Sequence, residues 1–500
     1  MNSHHQTIKT YPTSLFLFCL LIPPLSATCN NVEKTVVARR KNITCIDQER
    51  DALLKFKNHI IFDECELMDL WGNPGTPDCC TWNGVSCSNQ SGHIIGLNLS
   101  GAPYQGGCLV SQVLSPSLGE LKFLKYLDLS SNYFYGMDIP SSIGSLVNLI
   151  HLNLSYSGFS GDIPRLLGNL TRLTSLDLSR RNDELYAQGL SAKSLNWLSR
   201  LTLLTEINLS DTDLSEATDW TQSIGSLPML EVLQMDNCQL STSLTSSSSL
   251  SSANLRIVSL SRNYYISSSI FQWLFNTTSN YSSGVPSLEY LDLSYNIIQG
   301  PIPDAIGNFQ SLMHMDLSNN ALSGSIPSTL GLSGSLGGPS RLSYLDLSNN
   351  QLEGTIPASI VNLEYLGYLD LSSNYLSGDI PCKLEIREFP HYASFVFNNL
   401  SGSIPKKLSY LGPYAFQENP NFRTDEIQGP CEKDRKDKFK LGLYVSIGLG
   451  FYTGFWAFCG TLTIKNSWRH AYFRFIDHII DNIYVIVVVN LARFRRNFEV

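Results

Sequence analysis

Aromatic and acidic side chains recur two positions apart along this chain, in Tyr290-Leu-Asp292, His314-Met-Asp316, Tyr344-Leu-Asp346 and Tyr368-Leu-Asp370. Tyrosine offers contact area with little rotamer entropy to lose, and aspartate offers charge complementarity. The pattern therefore points to recognition of a ligand rather than to turnover. The same two columns run back through Tyr126, His151, Ser175, Glu206, Val232 and Ile257, and through Asp128, Asn153, Asp177, Asn208, Gln234 and Ser259. The competing explanation is that Leu-Asp-Leu-Ser is the standing wording of a repeat. The remaining His, Asp and Ser residues form no triad and no metal-ligand spacing, so no catalytic residue, metal or cofactor is expected.

What must position these residues is a repeated strand. Leu127-Asp-Leu-Ser-Ser-Asn132 returns at Leu152, Leu176, Ile207, Leu233, Val258, Leu291, Met315, Leu345 and Leu369, in steps of 25, 24, 31, 26, 25, 33, 24, 30 and 24 residues. Leu-x-Leu places two apolar side chains on one face of a short strand, because strand side chains alternate. One coil cannot bury that face alone, whereas stacked coils bury it continuously as a curved parallel sheet. The Asn that closes the unit, as at Asn132, Asn296 and Asn350, is expected to satisfy backbone groups of neighbouring coils. A second unit follows in Phe159-Ser-Gly-Asp-Ile-Pro164, Leu322-Ser-Gly-Ser-Ile-Pro327, Leu352-Glu-Gly-Thr-Ile-Pro357, Leu376-Ser-Gly-Asp-Ile-Pro381 and Leu400-Ser-Gly-Ser-Ile-Pro405. Its Gly suits a turn, and its Pro is expected to stop further pairing on an edge.

The ends read differently. The apolar run at 14–22, followed by Pro23, Pro24, Ser26 and Ala27, is too short to span a bilayer and suits an export signal, assigned to residues 1–28. Residues 441–464 lack charge between Lys440 and Lys465; as a helix they would measure roughly 36 Å, enough for one transmembrane pass. Flanking charge does not favour an outward N-terminus; the export signal decides it. Gly450 and Gly454 stand at the spacing that lets two membrane helices approach closely. The segment 465–500 reads as a cytoplasmic tail without a phosphate-binding loop, and Ile483 to Ala492 with Arg493, Arg495 and Arg496 reads as a membrane-surface segment. The net charge of −8 gives no basic stripe for nucleic acid, and five cysteines between Cys45 and Cys87 suggest a stapled cap. Nine sequons, at Asn42, Asn89, Asn98, Asn153, Asn169, Asn208, Asn276, Asn280 and Asn399, all precede residue 441. Glycans on Asn98, Asn153 and Asn208 would cover the early strands and leave the later ones open.

The Leu-Ser-Gly-x-Ile-Pro unit resembles the plant-specific leucine-rich repeat. The stretches Cys45-Ile-Asp-Gln-Glu-Arg-Asp-Ala-Leu-Leu-Lys-Phe-Lys57 and Cys79-Cys-Thr-Trp-Asn-Gly-Val-Ser-Cys87 resemble its N-terminal cap, with a helix expected from Asp51 to His59. Asn196-Trp-Leu-Ser199, Asp213-Leu-Ser-Glu-Ala-Thr-Asp-Trp220, Leu227-Pro-Met-Leu-Glu-Val-Leu233 and Gly454-Phe-Trp-Ala-Phe-Cys-Gly-Thr-Leu462 are similar to plant receptor-like proteins of the fungal-xylanase (elicitor) receptor type. The resemblance implies a leucine-rich-repeat solenoid: a curved parallel β-sheet with an irregular or 3-10 convex side, a helical N-terminal cap and one transmembrane helix. It also implies Cys45–Cys79 and Cys80–Cys87 bridges; Cys29, Cys65, Cys108, Cys382 and Cys431 stay unassigned.

On this reading residues 29–92 form the cap, 93–408 about ten or eleven repeats, and 409–440 a C-terminal cap and juxtamembrane segment. The chain departs from the family pattern in having few repeats, no convincing island, and a segment from Cys382 to Val396 that has lost the strand motif. The expected protein is a single-pass, type I plasma-membrane receptor subunit, not an enzyme. The resemblance implies an extracellular protein or peptide elicitor, a membrane receptor kinase and co-receptor, and a role in plant defence. The lipid bilayer is a further partner, and no nucleic acid is expected. Two alternatives stand beside it: an inhibitor-like binding module against wall-degrading enzymes, and a degenerate decoy.

Overall fold

The computed structural model describes residues 44–101, 107–134, 136–180, 189–241, 254–275, 287–331, 341–386, 392–428, 432–464 and 466–496. The export signal at 1–28, the sequons Asn42, Asn276 and Asn280, and Cys29 and Cys431 lie outside the described residues.

The cap helix runs over Asp47–Lys57, four residues earlier than expected, with Asp47 and Glu49 in its first turn, where acidic side chains oppose the helix dipole. Ala52, Leu53 and Phe56 share one face and are buried against Met68, Trp71 and Trp82. Trp71 and Trp82 stack at 5.4 Å. Cys45–Cys79 and Cys80–Cys87 are bridged, and a third bridge, Cys65–Cys108, ties the cap to the first coil. Cys382 is also disulfide-bonded. The sulfurs of Cys45, Cys79 and Cys80 lie close together, but all three are consumed in bridges and leave no thiolate for a metal. The buried Glu49 carboxylate accepts the Ile94 backbone N–H at 2.7 Å and lies 2.8 Å from His93 Nδ1, which pins the cap to the sheet.

Val85–Cys87 pairs antiparallel with Ile94–Asn98, and from there, among the described residues, twelve strands run parallel, one per coil. They are Ile94–Asn98, Tyr126–Asp128, His151–Asn153, Ser175–Asp177, Glu206–Asn208, Val232–Gln234, Ile257–Ser259, Tyr290–Asp292, His314–Asp316, Tyr344–Asp346, Tyr368–Asp370 and Tyr392–Ser394. Every adjacent pair is in register at the middle residue, so insertions of up to nine residues between coils leave the sheet undisturbed. The last strand corrects an expectation, since the segment from Cys382 to Val396 does keep a strand. Ala393 and Phe395 take the two buried positions that leucines fill elsewhere, and the Tyr392 N–H donates to the Gly367 carbonyl at 3.0 Å. Burial and hydrogen bonding suffice there without the usual residue wording.

Behind the sheet, the buried leucines meet short 3-10 turns on the convex side, such as Pro116–Glu120, Ser141–Ser145, Arg165–Asn169 and Ala358–Asn362. The Asn column closes each coil. The Asn350 amide donates to the carbonyls of Leu317, Leu347 and Ser348 at 2.9, 3.2 and 3.1 Å, and its oxygen accepts from the Leu322 N–H at 3.0 Å. The Leu-Ser-Gly-x-Ile-Pro unit does more than turn the chain. It builds its own parallel sheet from Gln299–Gly300, Ala321–Gly324, Gln351–Thr355, Tyr375–Asp379, Asn399–Ile404 and Asn421–Ile427. The proline stops further pairing where each strand ends, because Pro357, Pro381 and Pro405 follow the last paired residues and remove no ladder donor. Gly378 lies at a φ of 73°, and a Cβ there would meet Thr355 Cγ2 at 2.9 Å, so no other residue fits without strain.

Two helices close the chain, Glu432–Ile464 and Asn466–Arg496. The expected span at 441–464 lies inside the first, yet among the described residues no helix is long and apolar enough to cross a membrane. Five glycines, four serine or threonine residues and two tyrosines dilute the apolar content of that stretch. Side chains added at Gly450 or Gly454 would meet nothing within 4 Å, so the packing expected of them requires another helix.

Candidate functional site: the concave aromatic ladder

In-register parallel strands hold equivalent residues about 4.8 Å apart, close to the spacing at which aromatic rings stack. Tyr290, His314, Tyr344, Tyr368 and Tyr392 occupy one such column. Successive ring centroids lie 4.2, 4.0, 4.1 and 4.6 Å apart, and no two neighbouring planes differ by more than 16°. The four expected aromatic residues are thus brought together as one continuous stack. Tyr392 was missed because the reading keyed on Leu-Asp-Leu; the usable signal was a tyrosine six residues before the column asparagine Asn398, as Tyr368 stands before Asn374. Tyr126 and His151 form a separate pair at 4.6 Å, and Ser175, Glu206, Val232 and Ile257 interrupt the column between the two groups.

The aspartates have a divided role. In Asp292, Asp316, Asp346 and Asp370, one carboxylate oxygen accepts the backbone N–H of the serine two residues on, at 2.9 Å in every case. Half of each group therefore serves the turn, as the repeat-wording explanation requires. In Asp346 and Asp370 the second oxygen faces the ladder: Tyr368 and Tyr392 hydroxyls donate to Asp346 Oδ2 and Asp370 Oδ2 at 3.5 and 3.1 Å. Burial raises the carboxyls of Asp292 and Asp346 above the usual range and pushes Asp316 to about 6, with Asp292 and Asp346 adding like-charge repulsion. Burial also holds His314 down at about 4, so its imidazole is neutral near pH 7. It pushes the Tyr290 hydroxyl up to about 12, and Tyr344 and Tyr368 higher still. At neutral pH the column is an uncharged aromatic wall beside a row of carboxylates.

A second acid, Asp236, gathers the Ser259 and Ser261 hydroxyls at 2.7 and 2.8 Å and the Ser261 N–H at 2.7 Å. Residues 231–236 depart from the repeat wording at this coil, which is why the sequence did not single it out. Of the sequons, Asn89, Asn98 and Asn399 are exposed, and Asn153, Asn169 and Asn208 are half-buried. Asn98 and Asn153 each accept the hydroxyl of the following sequon serine, at 2.9 and 2.7 Å.

Models of known families match the chain in three places: a leucine-rich repeat region over residues 108–333, a leucine-rich-repeat N-terminal domain over 46–88, and a single leucine-rich repeat over 341–363. Receptor-like protein EIX1 of Solanum lycopersicum is 38% identical over 274 residues, covering 53% of this chain and 25% of that protein. Receptor-like protein EIX2 of the same plant is 36% identical over 297 residues, covering 58% and 26%. The chain thus spans about a quarter of the length of these relatives. Among solved structures, PEPR1 with AtPEP1 superposes with a TM-score of 0.52 at 27% identity, over 77% of this chain and 52% of that one. The Arabidopsis receptor kinase HAESA ectodomain, in complex with an extended IDA peptide hormone, gives 0.52 at 24% identity, over 73% and 59%, and shares the fold.

Proposed function

We propose, from the premise that this chain belongs to the plant leucine-rich-repeat receptor-like proteins of the EIX type, that it is a cell-surface binding subunit. Its solenoid lies outside the cell and takes a protein or peptide elicitor on the concave face of the later coils. The observation that carries this reading is the five-ring ladder from Tyr290 to Tyr392, a rigid, partly exposed aromatic surface on a sheet whose other face holds the whole core. The structure of PEPR1 with AtPEP1, which superposes on this fold, supports a ligand-binding use of such a solenoid. No catalytic role is proposed.

The helix at 441–464 is read as the membrane anchor, and signalling is assigned to a partner receptor kinase that packs on Gly450 and Gly454. The domain limits and glycan sites given by the sequence belong to the same proposal. Pull-down of the epitope-tagged full chain from plant membranes, with and without secreted fungal proteins, tests it. Capture of a secreted protein that is lost in the Tyr290→Ala/Tyr344→Ala/Tyr368→Ala variant supports the binding surface. Release of the chain by alkaline carbonate removes the anchor, and unchanged kinase recovery from Gly450→Leu/Gly454→Leu removes the packing role. A freely soluble chain that inhibits a wall-degrading hydrolase would replace the receptor with the inhibitor reading.

A further inference from the structure

The chemistry of the ligand can be read from which parts of the ladder are left uncovered. His314, Tyr344 and Tyr368 are each sandwiched between two rings at 4.0 to 4.6 Å, so both faces of all three are occupied by protein. A sugar ring stacks its C–H groups on an open aromatic face, and none of these three rings offers one. A cation likewise binds over a ring face rather than its electropositive edge. What the column presents outward is ring edges and phenolic hydroxyls.

The charge beside it is one-sided. From Ile257 to Ser394 the two outward columns of the sheet hold Asp292, Asp316, Asp346 and Asp370 and no Lys or Arg. Three arginines lie outside these columns beside the same coils: Arg256 and Arg262 are engaged, and Arg341 acts on Glu289 through its charge. Arg256 pairs with Glu289 at 2.8 Å and lies 3.8 Å from Glu231, and Arg262 lies over the Tyr295 ring. Partial burial makes the carboxylates poorly hydrated, which strengthens their attraction to an arriving cation. Four strand-to-strand steps give a track of about 19 Å, the length of roughly six extended residues.

Building on the ligand-binding reading, we infer that the ladder takes an extended, positively charged peptide segment laid across the strands from Tyr290 to Tyr392. Its basic side chains reach the second oxygens of Asp292 and Asp316. Its backbone amides and carbonyls meet the tyrosine hydroxyls, and the ring edges form a rigid floor that loses no rotamer entropy on binding.

The test uses the full chain in detergent micelles and three labelled probes of six units each: hexa-arginine, hexaglutamate and chitohexaose. Hexa-arginine should bind, and its affinity should fall steeply as salt is raised from 50 to about 300 mM. Asp292→Asn/Asp316→Asn should weaken it by on the order of tenfold, whereas the charge-matched control Asp304→Asn/Glu353→Gln, off the ladder, should leave it unchanged. Equal loss in both double variants, or chitohexaose binding that depends on Tyr344, overturns the inference. The outcomes separate the two readings. If a secreted protein is captured through Tyr290, Tyr344 and Tyr368 but hexa-arginine does not compete with it, the binding surface stands and the basic-segment inference falls.

Discussion

The imidazole of His314 lies against the phenol of Tyr344 with ring centroids 4.0 Å apart and planes 16° from parallel, although thirty residues separate them in the chain. Neither residue has a local reason to stack. The contact exists because each is the first residue of a strand and the two strands are hydrogen-bonded in register.

Tyr344 therefore carries two ring contacts, with His314 and with Tyr368. Each stacked pair adds about 0.5–1.5 kcal/mol beyond area burial. Tyr344→Ala should cost local stability, seen as faster amide hydrogen exchange in the strands at 314–316 and 368–370, while Tyr344→Phe should retain wild-type protection. Equal exchange in both variants would mean that the stack adds nothing to the sheet.

Asp316 and His314, on the same strand, set opposite pH dependences. The Asp316 carboxyl titrates at about 6 when folded against 3.8 unfolded, so folding takes up a proton between those values and stability rises as pH falls through that window. His314 titrates at about 4 folded against 6.5 unfolded, so stability is lost as pH falls from 6.5 towards 4. The groups facing Asp316 are Asp292, Asp346 and Tyr344 on the flanking strands, and the two acids add to its upward shift. Relative to the wild type, Asp316→Asn should lose thermal stability on acidification to pH 4.5, and His314→Asn should gain it. Thermal midpoints of the three proteins from pH 4.5 to 7 check both directions.

Asn350 satisfies three carbonyls and one buried N–H with a single amide. Asn350→Ala strands those groups, with a penalty on the order of 2–4 kcal/mol. A lowered urea midpoint, with exchange protection lost chiefly in the coils on either side, is the expected result; a change within 0.5 kcal/mol, roughly the range of an ordinary surface substitution, would show that water replaces the amide.

Glu49 is the polar clasp of the cap. Glu49→Ala leaves the buried Ile94 N–H unpaired, at about 1–3 kcal/mol, and removes the partner of His93. Limited proteolysis should then cut first within residues 44–92, while the later coils remain protected. Uniform digestion across the array would argue against a separable role for the clasp.

Glycans on Asn98, Asn153 and Asn208 would fence the early strands and leave the ladder from Tyr290 to Tyr392 bare. Glycopeptide mapping of the chain made in plant cells should find these sites occupied. Empty sites at all three would remove the reason for assigning the ligand to the later coils.

Much of this protein is decided by side-chain pattern alone. The Leu-x-Leu spacing dictates which face is buried, and the column asparagine marks where each coil turns. These are consequences of local geometry: alternation along a strand and the demand that buried backbone groups be paired. Other features arise only when coils are stacked. The register that turns five separated aromatic residues into one ladder, the entry of Tyr392 through a strand worded Tyr-Ala-Ser, the Cys65–Cys108 bridge and the second sheet all join segments some twenty to forty residues apart. The same holds for the aspartates: their type and spacing are in the chain, but the commitment of one Asp370 oxygen to the turn and of the other to the Tyr392 hydroxyl is set by the fold. Hydrogen bonds between neighbouring strands reset the alignment at every coil, whatever the length inserted between them, and that alignment is a property of the stack that no single repeat contains.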